Sequence, residues 1–293
     1  MNRLKLNRNV LNMNDFSDLK GKVAAVTGGS GVIGQTLVKG LCSAGVTVII
    51  LDINPARGAV TAAEMVKRPD CSVAAAIGAS VTDRESLLKA REEIRSAFGS
   101  LDILINCAGG NKASATTARE FITRDDKDLG GSFFDLDIEG FDGVFDLNFK
   151  GTVLPSMILS EDMVRKGSGV ILNISSMNAY RPLTKIPAYS AAKAAINNFT
   201  QWLAVHFAPA GVRVNAIAPG FLLTNQNRFL LTDEQTGEMT PRGRKIINAT
   251  PMGRYAEPEE LVGTMLYLLS ETSSFVTGVV IPVDGGFSAY SGV

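Results

Sequence analysis

The 293-residue chain contains one histidine and three cysteines. A Ser-His-Asp triad would have to rest on His206 alone, and a metal site built from several histidines is impossible. His206 lies in QWLAVHFAPAG, a helical stretch with no acidic neighbour, and reads as a helix-face residue. Cys42, Cys71 and Cys107 include no CxxC pair, and their odd number argues against a disulfide framework. A reducing cytoplasm is the expected compartment. No sign of charge dominates: 29 basic and 29 acidic side chains cancel. That balance gives no electrostatic reason to expect nucleic acid or an anionic membrane as partner. Apolar runs such as Val48–Leu51 fall far short of the ~18 residues that span a bilayer. Residues 1–22, rich in Asn, Arg, Lys and Leu, lack the ~7–15-residue apolar centre of a signal peptide. The acidic trio Asp125, Asp126 and Asp128 is interleaved with Arg124 and Lys127. It reads as a solvated turn, and no metal is expected.

What is present is a globular balance, with 45% hydrophobic and 20% charged residues. Residues 1–19 read as a polar extension, with room for one short helix. From Lys20 onward, short apolar runs alternate with helical patterns. Strands are expected at Lys22–Thr27, Val46–Leu51, Ser72–Ile77, Leu101–Asn106, Val170–Ile174, Arg213–Ala218 and Val279–Val283. Helices are expected at Gly34–Ala44, closed by Gly45, at Pro55–Lys67, and at Asp83–Phe98, capped by Thr82 with Glu85 at capping-box spacing. Continuous apolar strands alternating with helices specify βαβ units and a parallel sheet covered on both faces. The expected fold is therefore α/β: a single Rossmann-type domain over 20–293, doubly wound around a parallel seven-stranded sheet. Two weakly patterned stretches, 111–143 and 223–252, read as substrate loops inserted in that domain.

The first strand runs into Thr27-Gly28-Gly29-Ser30-Gly31-Val32-Ile33-Gly34, which opens directly into a helix. Gly29, Gly31 and Gly34 satisfy GxGxxG. Glycines let the backbone approach a pyrophosphate, and the helix N-terminus offers free N–H groups. The second strand ends at Asp52, 18 residues beyond Gly34. A carboxylate there can accept from both adenosine ribose hydroxyls and repels a 2′-phosphate. The next residue is Ile53 rather than arginine, so NAD(H) is expected over NADP(H).

Tyr189 and Lys193 stand four apart in YSAAKAAINNF and share a helix face. An ammonium beside a phenol favours the phenolate, and that pair can exchange a proton with a substrate oxygen.

These residues resemble the short-chain dehydrogenase/reductase family, from about Lys20 to the C-terminus. Ser175-Ser176 closes the fifth strand, with Ser176 thirteen residues before Tyr189, where the family has its catalytic serine. Asn148, 28 residues before Ser176, matches the catalytic asparagine. Asn106-Cys107-Ala108-Gly109 matches the segment after strand four, and Pro219-Gly220 with Leu222 and Thr224 matches the nicotinamide-holding segment. The resemblance implies that Tyr189 exchanges the proton, Lys193 holds the nicotinamide ribose and tunes Tyr189, and Ser176 binds the substrate oxygen. It implies that Asn148 holds a relay water and Thr224 orients the carboxamide. Gly28, Ser30, Gly31, Val32, Ile33, Gly34, Asp52, Ile53, Ser80, Val81, Asn106, Ala108 and Gly109 would complete the NAD site. Two positions depart from the family pattern. Val32 stands where its fingerprint has a middle glycine, and Ser80 precedes Val81 where an aspartate is common.

The long segment between Asn106 and Asn148 is similar to the D-mannonate oxidoreductase (fructuronate reductase) branch of that family. So are SSMNAYRPLTKIPAYS, APGFLLTNQNRFLL and GGFSAYSGV. The resemblance implies interconversion of D-fructuronate and D-mannonate. A hexonate needs many hydrogen bonds and a cation. Asn111, Lys112, Asn178, Lys185, Asn225, Gln226, Asn227 and Arg228 are the candidates, with Lys112, Lys185 or Arg228 for the carboxylate; each also reads as a solvated loop residue. Phe133, Phe134, Phe141, Phe145 and Phe149 read as core anchors of the insertion. Another polyol or ketogluconate dehydrogenase of the family stays open, as does, more remotely, a nucleotide sensor without turnover. A homotetramer is expected from the resemblance alone.

Overall fold

A computed structural model describes residues 16–68, 71, 74–223, 231 and 238–292. Seven parallel strands form one sheet in the order β3-β2-β1-β4-β5-β6-β7. They are β1 (Val23–Thr27), β2 (Thr47–Asp52), β3 (Ala74–Gly78), β4 (Ile103–Asn106), β5 (Gly169–Ile174), β6 (Val212–Pro219) and β7 (Val280–Val283). The helices are α1 (Val32–Ser43), α2 (Pro55–Val66), α3 (Arg84–Phe98), α4 (Ile138–Phe145), α5 (Gly151–Leu159), α6 (Glu161–Lys166), α7 (Pro187–Phe207), α8 (Pro241–Asn248) and α9 (Glu260–Leu269). The order runs outward from β1 in one direction and from β4 in the other. Such a reversal opens a crevice beyond the carboxyl ends of the strands.

The strand residues alternate between two cores. Ala24, Val26, Val48 and Ile50 face Leu37, Leu41, Leu261 and Met265 of α1 and α9. Ala25, Ile49, Leu51 and Leu104 face Leu87, Ile94, Ile158 and Leu203 of α3, α5 and α7. A strand buried on both faces must be apolar throughout, which is why these runs are continuous.

Three local expectations change. Asp83, not Thr82, caps α3, its carboxylate accepting from Ser86 N at 2.9 Å; the Thr82 hydroxyl is instead 3.2 Å from that of Ser80. Cys42 and Cys71 form a disulfide, with Cα atoms 4.5 Å apart and a sequence separation of 29. The end of α1 and the segment after α2 meet only through tertiary packing, which cysteine spacing does not encode. Phe133 and Phe134 are exposed rather than core; they lie on a single 3-10 turn that buries none of its residues. Phe141 does pack against the small cluster of Ala115, Val144 and Ala188, and Phe145 and Phe149 meet edge to face.

The end of the extension is anchored: Leu19 is fully buried, and Asp18 accepts from Glu271 N at 2.9 Å. Asp126 holds its turn by accepting from Thr123 N at 2.7 Å, and Arg119 pairs with it at 3.2 Å. His206 is exposed on α7 and stacks on Trp202, ring centres 4.9 Å apart. Among the described residues no helix is long and apolar enough to cross a membrane.

Candidate active site

A cleft of about 820 Å³ lies beyond the carboxyl ends of the strands, from Asp52 at one end to Tyr189 and Lys193 at the other. Its floor is the glycine turn. Gly28 has φ +62°, and a side chain there would come within 2.8 Å of Ala108 Cα. A Cβ on Gly34 would fall 2.2 Å from the Gly28 carbonyl oxygen. Both positions therefore exclude any other residue. Gly31 is the N-cap of α1 and supplies no side-chain cap, so the first N–H groups of the helix are left for a ligand. Val32, in the middle-glycine position, simply begins the helix and lines the cleft with Gly31, Ile33 and Gly34.

Asp52 ends β2 at the cleft wall. One carboxylate oxygen accepts from Asn54 N at 3.0 Å, and the other accepts from the backbone and hydroxyl of Ser30. Ser30 is buried behind Asp52 and orients it rather than lining the cleft itself. Ile53, Ser80 and Val81 line the same end. Arg57 also lines it, its guanidinium donating to Ser30 O at 2.8 Å. In the sequence Ile53 follows Asp52, but α2 carries Arg57 back to the cleft one turn later.

β1 and β4 are in register at Thr27 and Asn106. The Thr27 hydroxyl accepts from the N–H groups of Cys107 and Ala108 at 3.0 and 3.1 Å, which pins the chain as it leaves β4. Ala108 and Gly109 then line the cleft. Asn106 does not. Its amide donates to Asn173 at 2.8 Å and Ser156 at 2.9 Å, and Asn173 donates to Thr200 at 2.9 Å. Asn106 thus belongs to a buried polar line tying β4 and β5 to α5 and α7. Cys107 is a free thiol pushed up to about 12 by burial, against the opposing pull of the Lys193 charge, which keeps it protonated at neutral pH.

Between α4 and α5 the helix widens into a π-turn over Asp146–Lys150, a feature that often marks functional positions. Asn148 lies in it, fully buried. Both of its amide hydrogens are committed, to Gly110 O at 2.7 Å and Val144 O at 2.8 Å, and its oxygen accepts from Gly110 N at 3.2 Å. Asn148 itself does not line the cleft; its neighbours Gly109, Gly110 and Leu147 do.

Ser176 ends the chain leaving β5, and Tyr189 and Lys193 project from the first turns of α7, all three into the cleft. Burial raises the Tyr189 phenol above its ordinary value; a hydrogen bond with Ser176 opposes the rise, and Cys107 adds to it. The i, i+4 spacing of Tyr189 and Lys193 predicts an ammonium that pulls the phenol down. Here desolvation wins, and it acts on Lys193 too, lowering that ammonium to about 8. Lys193 Nζ donates to Ile174 O at 2.8 Å and lies 5.5 Å from the Tyr189 ring centre. Pro219, Gly220 and Leu222 line the opposite wall; Thr224 lies outside the described residues.

The substrate candidates separate. Asn111 and Asn178 line the cleft, whereas Lys112 and Lys185 do not. Lys112 Nζ is turned against α4, 2.7 Å from where a Cβ on Gly143 would stand. Asn225, Gln226, Asn227 and Arg228 lie outside the described residues. Asn178 is 5% exposed, and its side-chain oxygen has no hydrogen-bond partner. Arg242, the second residue of α8, lines the cleft and was not anticipated. None of the insertion's phenylalanines reaches it.

A family model described as enoyl-(acyl carrier protein) reductase matches residues 29–288. An uncharacterized oxidoreductase of Bacillus subtilis, UxuB, is 50% identical over 94% of this chain and 98% of its own. The 2-dehydro-3-deoxy-D-gluconate 5-dehydrogenase of Dickeya dadantii is 31% identical over 94% of this chain and 99% of its own. The crystal structure of a provisionally assigned D-mannonate oxidoreductase from Haemophilus influenzae, with NAD bound, superposes with a TM-score of 0.89 at 48% identity, covering 95% of this chain and 99% of that one.

Proposed function

The chain belongs to the short-chain dehydrogenase/reductase family of oxidoreductases, and from that premise we propose that it reduces the ketone of a sugar acid with NADH, interconverting D-fructuronate and D-mannonate. NAD(H), when bound, supplies or takes the hydride. The glycine turn and the N-terminus of α1 hold its pyrophosphate, and Asp52 accepts from the adenosine ribose. Lys193 serves the nicotinamide ribose, and Pro219, Gly220 and Leu222 back the ring.

Tyr189 supplies the proton. Its phenol, held neutral by burial, is in the state that can give a proton to the ketone oxygen as that oxygen gains charge. Ser176 donates to the same oxygen. Asn148 acts through Gly109 and Gly110, fixing the backbone at the nicotinamide end; it is a positioning residue.

The observation that carries the substrate class is Asn178. Asn178 lines the cleft two residues after Ser176, with Asn111 and Arg242 on the same lining. A polyhydroxylated acid supplies hydrogen-bond partners for such groups; an acyl chain does not. The name of the Haemophilus influenzae structure and the sugar-acid substrate of the Dickeya dadantii relative support the same class. Incubation with D-mannonate and NAD+ tests the reading. It predicts NADH formation and D-fructuronate as the product, with D-gluconate turned over more slowly. NADH formation from D-gluconate but not D-mannonate would refute the assignment.

The reading includes a homotetramer. The outward face of α7 leaves Trp202 and Val205 exposed at 57% and 77%, an apolar surface suited to a second copy. Light scattering in solution decides it.

A further inference from the structure

We infer that Arg242 is the residue that holds the substrate carboxylate, and so sets a preference for keto acids over neutral ketoses. The inference rests on the sugar-acid reading above and adds a residue that neither motif nor resemblance assigns.

Among the described residues, the cations that line the cleft are Arg57, Lys193 and Arg242. Arg57 is at the Asp52 end and bound to Ser30 O. Lys193 is committed to Ile174 O and to the catalytic pair. Arg242 makes no hydrogen bond or ion pair with any described residue, so none of these claims its fork of five donors.

Its position is built. Thr240 caps α8, accepting from Gly243 N at 3.0 Å, and Tyr255 donates to Gly243 O at 3.2 Å. A Cβ on Gly243 would fall 2.3 Å from Leu231 O, so the first turn of α8 is packed tightly against that neighbour. A cation at the second position of a helix also opposes the macrodipole, at a cost of a few tenths of a kcal/mol or more. A bound anion reverses that cost. Placing arginine there against local preference is what a binding site does.

The nearby carboxylate is already neutralised. Glu120, on the insertion, pairs with Lys245 at 3.0 Å. That pair lowers Glu120 below its usual range, with Lys185 and Arg242 adding longer-range attraction. Lys245 thereby keeps Glu120 from capturing the Arg242 guanidinium. Asn111 and Asn178 line the same cleft and supply amides for the hydroxyls of the same ligand. A polyhydroxylated carboxylate suits the guanidinium and the amides together.

The test compares D-fructuronate with D-fructose, which carries CH2OH in place of the carboxylate, in wild type, Arg242→Ala and Arg242→Lys. NADH binding by fluorescence checks that each variant is folded. The inference predicts that Arg242→Ala lowers the ratio of kcat/KM for the acid to that for fructose by about 30-fold or more, as expected for losing a hydrogen-bonded charge pair. The loss falls mainly on KM, and Arg242→Lys recovers part of it. An unchanged ratio overturns the inference. So does a wild type that reduces fructose as well as the acid, or reduces no keto acid. If wild type ignores D-fructuronate but reduces another keto acid, the fructuronate reading fails. Arg242 is then judged by the same ratio for that acid and its alcohol counterpart.

Discussion

Asn148 and Gly110 are joined by two hydrogen bonds, the asparagine amide donating to the glycine carbonyl at 2.7 Å and its oxygen accepting from the glycine N–H at 3.2 Å. This closes the π-turn before α5 onto the chain leaving β4, and it sets where Gly109 and Gly110 run along the cleft that Tyr189 and Lys193 also line. Replacing Asn148 with alanine strands both backbone groups of Gly110 and the carbonyl of Val144. Urea denaturation should show a loss of about 1–3 kcal/mol, and kcat should fall more than its KM changes. Wild-type stability in Asn148→Ala would show that these bonds fix nothing.

Tyr189→Phe removes the proposed proton donor and leaves the ring packing intact. Turnover should fall by more than tenfold while NADH still binds, the first read by steady-state rates and the second by fluorescence titration. Activity above a tenth of wild type would remove Tyr189 from the donor role.

Asp52 stands between Ser30, which orients it, and Arg57, which lines the same end of the cleft. Asp52→Ser takes away the charge that repels a 2′-phosphate and leaves Arg57 to meet it. KM for NADH should rise, and the preference for NADH over NADPH should shrink at least tenfold, measured with both cofactors at fixed ketone. No change in that preference would remove Asp52 and Arg57 from cofactor selection.

Lys193 carries a pH signature. Its ammonium is buried, and burial lowers it from 10.5 to about 8. Between those values the unfolded chain holds a proton that the native state has lost, so native stability contributed by this group rises with pH across that window, by up to about 1.4 kcal/mol per pH unit. Below pH 8 both states are charged, and the penalty is constant. The stability of wild type minus that of Lys193→Met should therefore climb from about pH 8 upward. A difference that stays flat or falls would contradict a desolvated ammonium.

Much of the molecule was readable from the chain because its signals are local. Continuous apolar runs marked the buried strands, glycines marked the turn before α1, and Tyr189 and Lys193 fell on one helix face by spacing alone. What could not be read depends on packing between distant segments. Arg57 returns to Asp52 only because α2 folds back. Arg242 reaches the cleft because tertiary packing brings the start of α8 to it. Asn106 was expected at the cofactor, but its amide is used inside the sheet by Asn173 and Ser156. The direction of the Tyr189 shift was missed for a related reason. A neighbouring charge can be seen in a sequence, whereas the extent of burial cannot, and here burial is the larger effect.

The most direct test is the initial rate of NADH oxidation by wild-type enzyme across a ketone panel: D-fructuronate, D-tagaturonate, 5-ketogluconate and an acetoacetyl thioester, with NADPH in parallel. The account predicts that D-fructuronate with NADH exceeds every other combination. A thioester-led or flat profile would contradict it.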